Sequence, residues 1–309
     1  MGLTAGAVVP VPAGPPAFGS PGAPFPDRPA LLIALDLDGT VLGRGPDGTP
    51  MLDARNRDAI HAAVDAGHHI VIATGRTCRS ALPWVSELRI VAPMITYGGA
   101  VIRRPPHHGS PDGEDPLGAV LFSASLGARH AARVVAIARK HDWQVLLEVD
   151  DDVYSEPRAT GPLVKITAGQ VQITFVESVD DLLNDAVHRV VCVVQDPVAA
   201  AQCERLLRAE FAGSAAVTRS LPTYIEVTSA TATKGQALTR LCAMLGVAMP
   251  DVIAVGDEGN DIDLLTTAGF GIAVAGSPPE LLAVADATCR PPDEGGIAAV
   301  LARLNMRRA

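Results

Sequence analysis

Two carboxylates, Asp36 and Asp38, follow the apolar run 31–35 and lead into a Gly39-Thr40 turn. Charges leaving a buried strand are costly unless something of opposite sign meets them. Three other stretches carry matching chemistry. Thr74-Gly75-Arg76 ends a second apolar run and opens a helix, offering a hydroxyl and free N–H groups to an anion. Lys234, in Thr233-Lys234-Gly235, puts a cation at a helix start, where the helix dipole disfavours it and an anionic partner would explain it. Gly256-Asp257-Glu258-Gly259-Asn260-Asp261 follows the run 252–255 and adds carboxylates at another strand end. Each has a plain alternative: an acidic turn with a helix cap, an ordinary strand-to-helix turn, a solvated lysine. An EF-hand calcium loop is excluded, because Val41 stands where that loop needs its sixth-position Gly and Asp47 replaces its closing Glu.

Together the four stretches require a cation. At ~4 Å and an effective dielectric near ~20, each like-charge pair costs about 4 kcal/mol. Asp36, Asp38, Asp257 and Asp261 would not gather around a phosphate without one. Hard oxygen ligands point to Mg2+, which keeps waters and a substrate phosphate oxygen.

The elements that must carry these groups alternate. The patterns predict a strand at 31–35, a helix at 53–66 with Asp53 as N-cap and Gly67 at its stop, and a strand at 69–74. A helix at about 77–88, with Pro83 inside it, and a strand at 94–97 follow. Strand and helix in alternation give a Rossmann-like, doubly wound parallel sheet, with ligands at the C-terminal strand ends. From 103 the texture changes to a Pro/Gly/His-rich loop, shorter strands (119–124, 143–149, 163–167, 171–176) and helices at about 128–141 and 197–210. Residues 103–221 therefore read as an inserted α/β cap domain. The core domain is 31–102 and 222–309, resuming at Tyr224-Ile225-Glu226-Val227 and running through helix 234–245, strand 252–255, helix 261–268, strand 271–274 and helices near 279–284 and 296–304. Residues 1–30, rich in Pro, Gly and Ala, read as a flexible tail outside the fold, with a partner-binding proline segment as the alternative. They lack the basic start of a signal peptide.

Composition narrows the partners. A chain of 309 residues with net charge −9 does not suit nucleic acid, whose binders show a basic stripe. No apolar run reaches the ~18 residues that cross a bilayer, so no membrane contact is expected and the cytoplasm is the default location. The five cysteines form no C-x-x-C pair and read as reduced, mostly buried thiols.

Asp36-Leu37-Asp38-Gly39-Thr40, Thr74-Gly75, Lys234 and Gly256-Asp257-x-x-Asn260-Asp261 occur in the order and setting of the haloacid dehalogenase-like superfamily. The chain particularly resembles its Cof-type sugar-phosphatase branch, which carries a large cap between the second and third motifs. Ala73-Thr74-Gly75-Arg76, Ile95-Thr96-Tyr97-Gly98-Gly99-Ala100 and Ile225-Glu226-Val227 support this. The resemblance implies a phosphatase of small phosphorylated metabolites. Asp36 would be the nucleophile and Asp38 the acid and base, with Mg2+ on the Asp36 carboxylate, the Asp38 carbonyl and Asp257. Thr74, the backbone at Leu37 and Gly75, Lys234 and Asn260 would grip the phosphoryl oxygens, and Asp261 would orient Lys234 or a metal-bound water. A phosphomutase of the superfamily would share these motifs, and a phosphometabolite sensor would need no nucleophile. Relatives usually carry Asn where Gly98 stands, which bears on substrate contacts near the cap. His107, His108 and the acidic turn 150–152 read as solvated loops. Lys234, solvated or ligand-facing, is expected to hold no core together.

Overall fold

A computed structural model describes residues 14–18, 20, 32–106, 115–157, 173–184 and 186–306. The chain opens with β1 (Leu32–Leu35), a hairpin of β2 (Leu42–Arg44) and β3 (Pro50–Leu52), then α1 (Ala54–Asp65), β4 (His69–Ile72), α2 (Cys78–Glu87) and β5 (Met94–Thr96). Next come β6 (Val101–Arg104), β7 (Ala119–Ser123), α3 (Ala128–Lys140), β8 (Gln144–Val149), β9 (Asp152–Ser155), β10 (Ile173–Phe175), β11 (Val187–Val193) and α4 (Pro197–Glu210). The last part holds β12 (Ala215–Leu221), β13 (Tyr224–Ser229), α5 (Lys234–Leu245), β14 (Val252–Gly256), α6 (Ile262–Thr267), β15 (Phe270–Val274), α7 (Pro279–Leu282), β16 (Ala287–Cys289) and α8 (Gly296–Met306).

Five parallel strands form the core sheet in the order β16-β15-β14-β1-β4. β1 lies inside the sheet between β14 and β4, and its four residues are fully buried because both faces are covered. Ile33 and Leu35 pack with Ile60, Val85, Ile297 and Leu301 of α1, α2 and α8. Leu32 and Ala34 pack with Leu238, Leu241, Leu264 and Leu265 of α5 and α6. Continuous apolar strands and two helical layers are one fact seen twice. β5 lies beside β4 through the Ala73–Ile95 bridge and turns back into an antiparallel sheet with β6 and β7.

The inserted unit is a six-stranded sheet in the order β10-β9-β8-β11-β13-β12. α3 and α4 cover one face, packing Val134, Val135, Ala138, Cys203 and Leu207 against Leu147, Val190, Cys192 and Ile225. Leu146, Val153, Val191 and Val193 form a separate cluster on other positions of the same strands. β13 corrects the sequence reading, which took 224–227 as the return of the core. It pairs antiparallel with β11 and β12, and the physical reason is in its pattern. Ile225 and Val227 are buried while Tyr224 and Glu226 are only half-buried, the alternation of an antiparallel strand and not the unbroken run of a parallel one. The strand expected at 163–167, and His107 and His108, lie outside the described residues. All five cysteines are buried and free. Among the described residues no helix is long and apolar enough to cross a membrane.

Part of the segment read as a flexible tail is held in the fold. The Phe18 amide donates to the Thr288 carbonyl at 2.6 Å, and the Thr288 amide donates to the Pro16 carbonyl at 2.9 Å. The edge strand β16 offers unpaired backbone groups, and Pro16 is tolerated there because it only accepts. Phe18 packs edge-on to Phe270 at 6.0 Å, with the Arg303 guanidinium 5.9 Å from its ring. Replacing Phe18 with Ala should therefore cost about 1–2 kcal/mol of stability, visible as a lower melting temperature in scanning calorimetry; an unchanged transition would mean that this contact holds nothing.

Candidate active site

The ends of β1, β4 and β14 and the start of α5 converge. The Asp36 amide donates to the Val255 carbonyl at 2.9 Å, so the ladder runs to the end of β1 and leaves the side chain at its tip, 5% exposed. Thr233 caps α5 by accepting from the Gln236 amide, which fixes Lys234 as the first helical residue. The Lys234 side chain is 1% exposed. Its Nζ donates to Asp36 Oδ1 at 2.6 Å and to Asp261 Oδ1 at 2.5 Å. Asp261 Oδ2 accepts from the amides of Asp257 and Glu258, each at 3.1 Å. With three donors on it, Asp261 is committed to holding Lys234 and the 257–261 turn.

Asp36, Asp257 and Asp261 each bring a carboxylate oxygen within 4.8 Å of the others. Thr40 Oγ1 donates to Asp257 Oδ1 at 3.1 Å. Gly39 permits this approach: at φ +86° an added Cβ would stand 2.0 Å from Asp257 Oδ2. Burial pushes the Asp36 carboxyl well up against the pull of Lys234, and Asp261 and Asp257 add to the rise. Burial, Asp261 and Glu258 push Asp257 up to about 7. Burial alone would lower Lys234, but Asp261 and Asp36 outweigh it and hold the ammonium charged. Three carboxylates thus crowd one ammonium, and the pocket is short of positive charge. A hard divalent cation fits that deficit and the all-oxygen donor set. Since Asp261 is occupied, Asp36 and Asp257 are the carboxylates placed to bind one.

Thr74 is buried and its Oγ1 accepts from the Arg76 amide at 3.1 Å. Gly75 lies against Asn260, whose amide nitrogen is 4.0 Å from where a Gly75 Cβ would stand. Leu37 points its side chain into the core, and its carbonyl accepts from Val41 and Leu42. Asp38 is half-exposed and is gripped by Arg76, with Nε to Oδ2 at 2.6 Å and Nη2 to Oδ1 at 2.5 Å. Arg76 is steadied by the Ser80 carbonyl at 3.3 Å. Every site residue read from the sequence therefore lies on this one face or in the turns that build it. The roles of Arg76 toward Asp38 and of Thr40 toward Asp257 escaped that reading, because nothing in sequence spacing reports either pairing. Gly98 sits at φ +62° with open space around it, a conformation that Gly and Asn both accept.

Two expectations are corrected. Asp150 and Asp152 are exposed, but Asp151 is buried, because it meets donors from another part of the chain. Lys234 is no solvated lysine, and removing it would strand two buried carboxylates. Without added metal, Lys234→Met should cost about 3–5 kcal/mol near neutral pH, as when one partner of a buried pair is lost. The Asp36 carboxyl already lies above its ordinary value in the folded chain, so its contribution to stability is present at low pH and is lost as pH rises through the folded value. Losing the ammonium raises that value further, so the deficit against wild type should widen as pH is raised from the acid to the mildly alkaline range. Denaturant melts across that range check this; a pH-independent deficit would contradict it.

Comparison with known proteins agrees with this geometry. The chain is 27% identical over 278 residues to a 5-amino-6-(5-phospho-D-ribitylamino)uracil phosphatase of Bacillus subtilis, covering 87% of this chain and 96% of that one. A haloacid dehalogenase-like hydrolase from Bacteroides thetaiotaomicron superposes with a TM-score of 0.76 at 23% identity, covering 89% and 99% of the two chains. A sugar phosphatase of HAD subclass IIB superposes with a TM-score of 0.72 at 20% identity, covering 89% and 99%. The family profile of haloacid dehalogenase-like hydrolases matches residues 33–301, and the chain belongs to that family.

Proposed function

We propose that this phosphatase is Mg2+-dependent, acts on small phosphorylated metabolites (sugar phosphates or related phosphomonoesters), and works through an aspartyl-phosphate on Asp36. The observation that carries the reading is the buried Lys234 between Asp36 and Asp261, beside Asp257. It supplies a nucleophile, a fixed cation and an oxygen donor set at one strand end. An Asp36 carboxylate oxygen attacks phosphorus in line. The bond to the leaving oxygen breaks, and that alcohol takes a proton from Asp38. Asp38, now a carboxylate, takes a proton from the water that attacks the aspartyl-phosphate, releasing phosphate and restoring Asp36. Thr74, the Leu37 and Gly75 amides, Lys234 and Asn260 hold the phosphoryl oxygens, which suits a loose transition state stabilised by positioning and charge. Asp36, Asp257 and the Asp38 carbonyl would hold Mg2+, which when bound offsets the carboxylate charge and polarises a phosphoryl oxygen. The six-stranded unit is the cap that selects the leaving group. The ribitylamino phosphate on which one relative acts and the sugar phosphates of a structural neighbour support a polyhydroxylated leaving group.

Asp36→Asn should lower p-nitrophenyl phosphate hydrolysis at least about a hundredfold in a protein that still folds. Retention of more than that fraction would remove Asp36 as nucleophile. A strict need for a sugar bisphosphate would indicate a mutase, and binding without turnover a sensor.

The metal has its own test. Chelator should abolish activity and Mg2+ restore it, whereas Ca2+, with more ligands at longer distances, should not. Asp257 must ionise to bind, so metal and proton compete below its value of about 7. The gain in melting temperature on adding Mg2+ should grow from about pH 5.5 to about pH 8. Full activity in Ca2+ alone, or a gain that shrinks with pH, would refute this site.

A further inference from the structure

The inserted unit meets the core through two buried charges that the chemistry above leaves unused. Asp151 stands at the tip of the β8–β9 hairpin, with Asp150 and Asp151 at φ +48° and +72°. Two left-handed residues in succession make the tight turn of a two-residue hairpin, and here they aim a carboxylate at the core. Asp151 Oδ1 accepts from the Cys78 amide at 2.7 Å, the Arg79 amide at 3.3 Å and the Tyr97 hydroxyl at 3.0 Å, and Oδ2 faces Arg103 at 3.4 Å. Cys78 and Arg79 begin α2, whose first amides have no partner inside the helix. On β11, Arg189 is held by Glu148 at 2.8 and 3.0 Å and by Glu226 at 3.0 Å, and donates to the Gly75 carbonyl at 2.8 Å.

Both contacts land on residues 75–79. That segment also carries Arg76, which grips Asp38, and follows Thr74, which lines the phosphate end. All four of these contacts of Asp151 are to residues outside the six-stranded sheet, on α2, β6 and the turn between β5 and β6. A carboxylate so placed has its full donor set only while the unit is seated, and exchanges it for water when the unit lifts.

We propose that Asp151 is a positioning residue for the reaction: a latch that seats the inserted unit on the first turn of α2 and so populates the closed arrangement around Asp38 before substrate arrives. The kinetic consequence rests on the phosphatase reading; the structural one does not. When only a fraction of molecules is closed, apparent affinity falls by that fraction, while saturating substrate still draws the unit shut. Loss of the latch therefore acts on KM and spares kcat.

The test uses Asp151→Asn, which keeps the shape but removes the charge opposite Arg103, and Tyr97→Phe, which removes one donor. Steady-state hydrolysis of p-nitrophenyl phosphate with Mg2+ is paired with hydrogen–deuterium exchange by mass spectrometry. Asp151→Asn should raise KM measurably, up to about the tenfold that one charge-assisted hydrogen bond is worth, and leave kcat within about twofold. Tyr97→Phe should shift KM in the same direction by less. The first-turn amides of α2 should exchange faster in both variants and regain protection when orthovanadate and Mg2+ are added, with β1 and β14 unaffected. Unchanged KM and exchange in a folded variant overturn the latch. So does a fall in kcat at constant KM, or a loss of protection spread through β1 and β14. If the wild-type protein hydrolyses no phosphate ester, the functional reading fails, and the exchange experiment still decides the latch.

Discussion

A buried lysine ammonium, clamped between Asp36 and Asp261, is the interaction on which the site's face depends. Burying such a charge is tolerable only if its partners are in place. The fold therefore has to deliver the tip of β1, the first residue of α5 and the turn after β14 to one point. The parallel pairing of β1 with β14 brings two of these together, and the Thr233 cap sets the third. Asp261 then ties Lys234 to the amides of Asp257 and Glu258. The cluster remains over-supplied with carboxylate, so the stable arrangement of the protein alone is also one prepared for a cation and an anionic phosphoryl group.

This electrostatic imbalance divides the carboxylates by role. Asp261, saturated by donors, behaves as scaffold. Asp36 and Asp257 are not saturated in this way, and burial together with Asp261 and Glu258 holds Asp257 above its ordinary value. Asp38 stands apart, half in solvent and gripped by Arg76 instead of Lys234. In the proposed function Asp36 would be the nucleophile beside a fixed cation, and Asp38, two residues on, the carboxylate that serves the departing alcohol. The environments differ although the residue types do not.

The core face was legible in the sequence because its residues, Lys234 at a helix start apart, sit at strand ends, and strand ends announce themselves as apolar runs broken by Asp, Thr-Gly or Gly-Asp. The inserted unit was less legible. β13 was assigned to the core because its helix-bound position in the chain outweighed its alternating pattern. Asp151 was indistinguishable from its exposed neighbours Asp150 and Asp152, since what buries it is Cys78 and Tyr97, far away in sequence. The pairing of Phe18 with β16 was hidden for the same reason: a proline-rich stretch has no period of its own and takes its shape from the edge it meets.

The segment from Thr74 to Arg79 joins these two levels of legibility. Its N-terminal residues would face the phosphate in the proposed function, Arg76 holds Asp38, and its carbonyl and amide groups receive Arg189 and Asp151 from the inserted unit. α2 is anchored in the core by Cys78, Ala81 and Val85, so this segment cannot yield much to either side. A rigid turn shared by the acid and the cap seat means that any inserted sheet able to present an acceptor to α2 and a donor to Gly75 could close over the same chemistry. The rest of its surface would then be free to vary with the leaving group. That separation explains why the motifs of the core can be read without knowing the substrate, and why the residues that choose the substrate cannot.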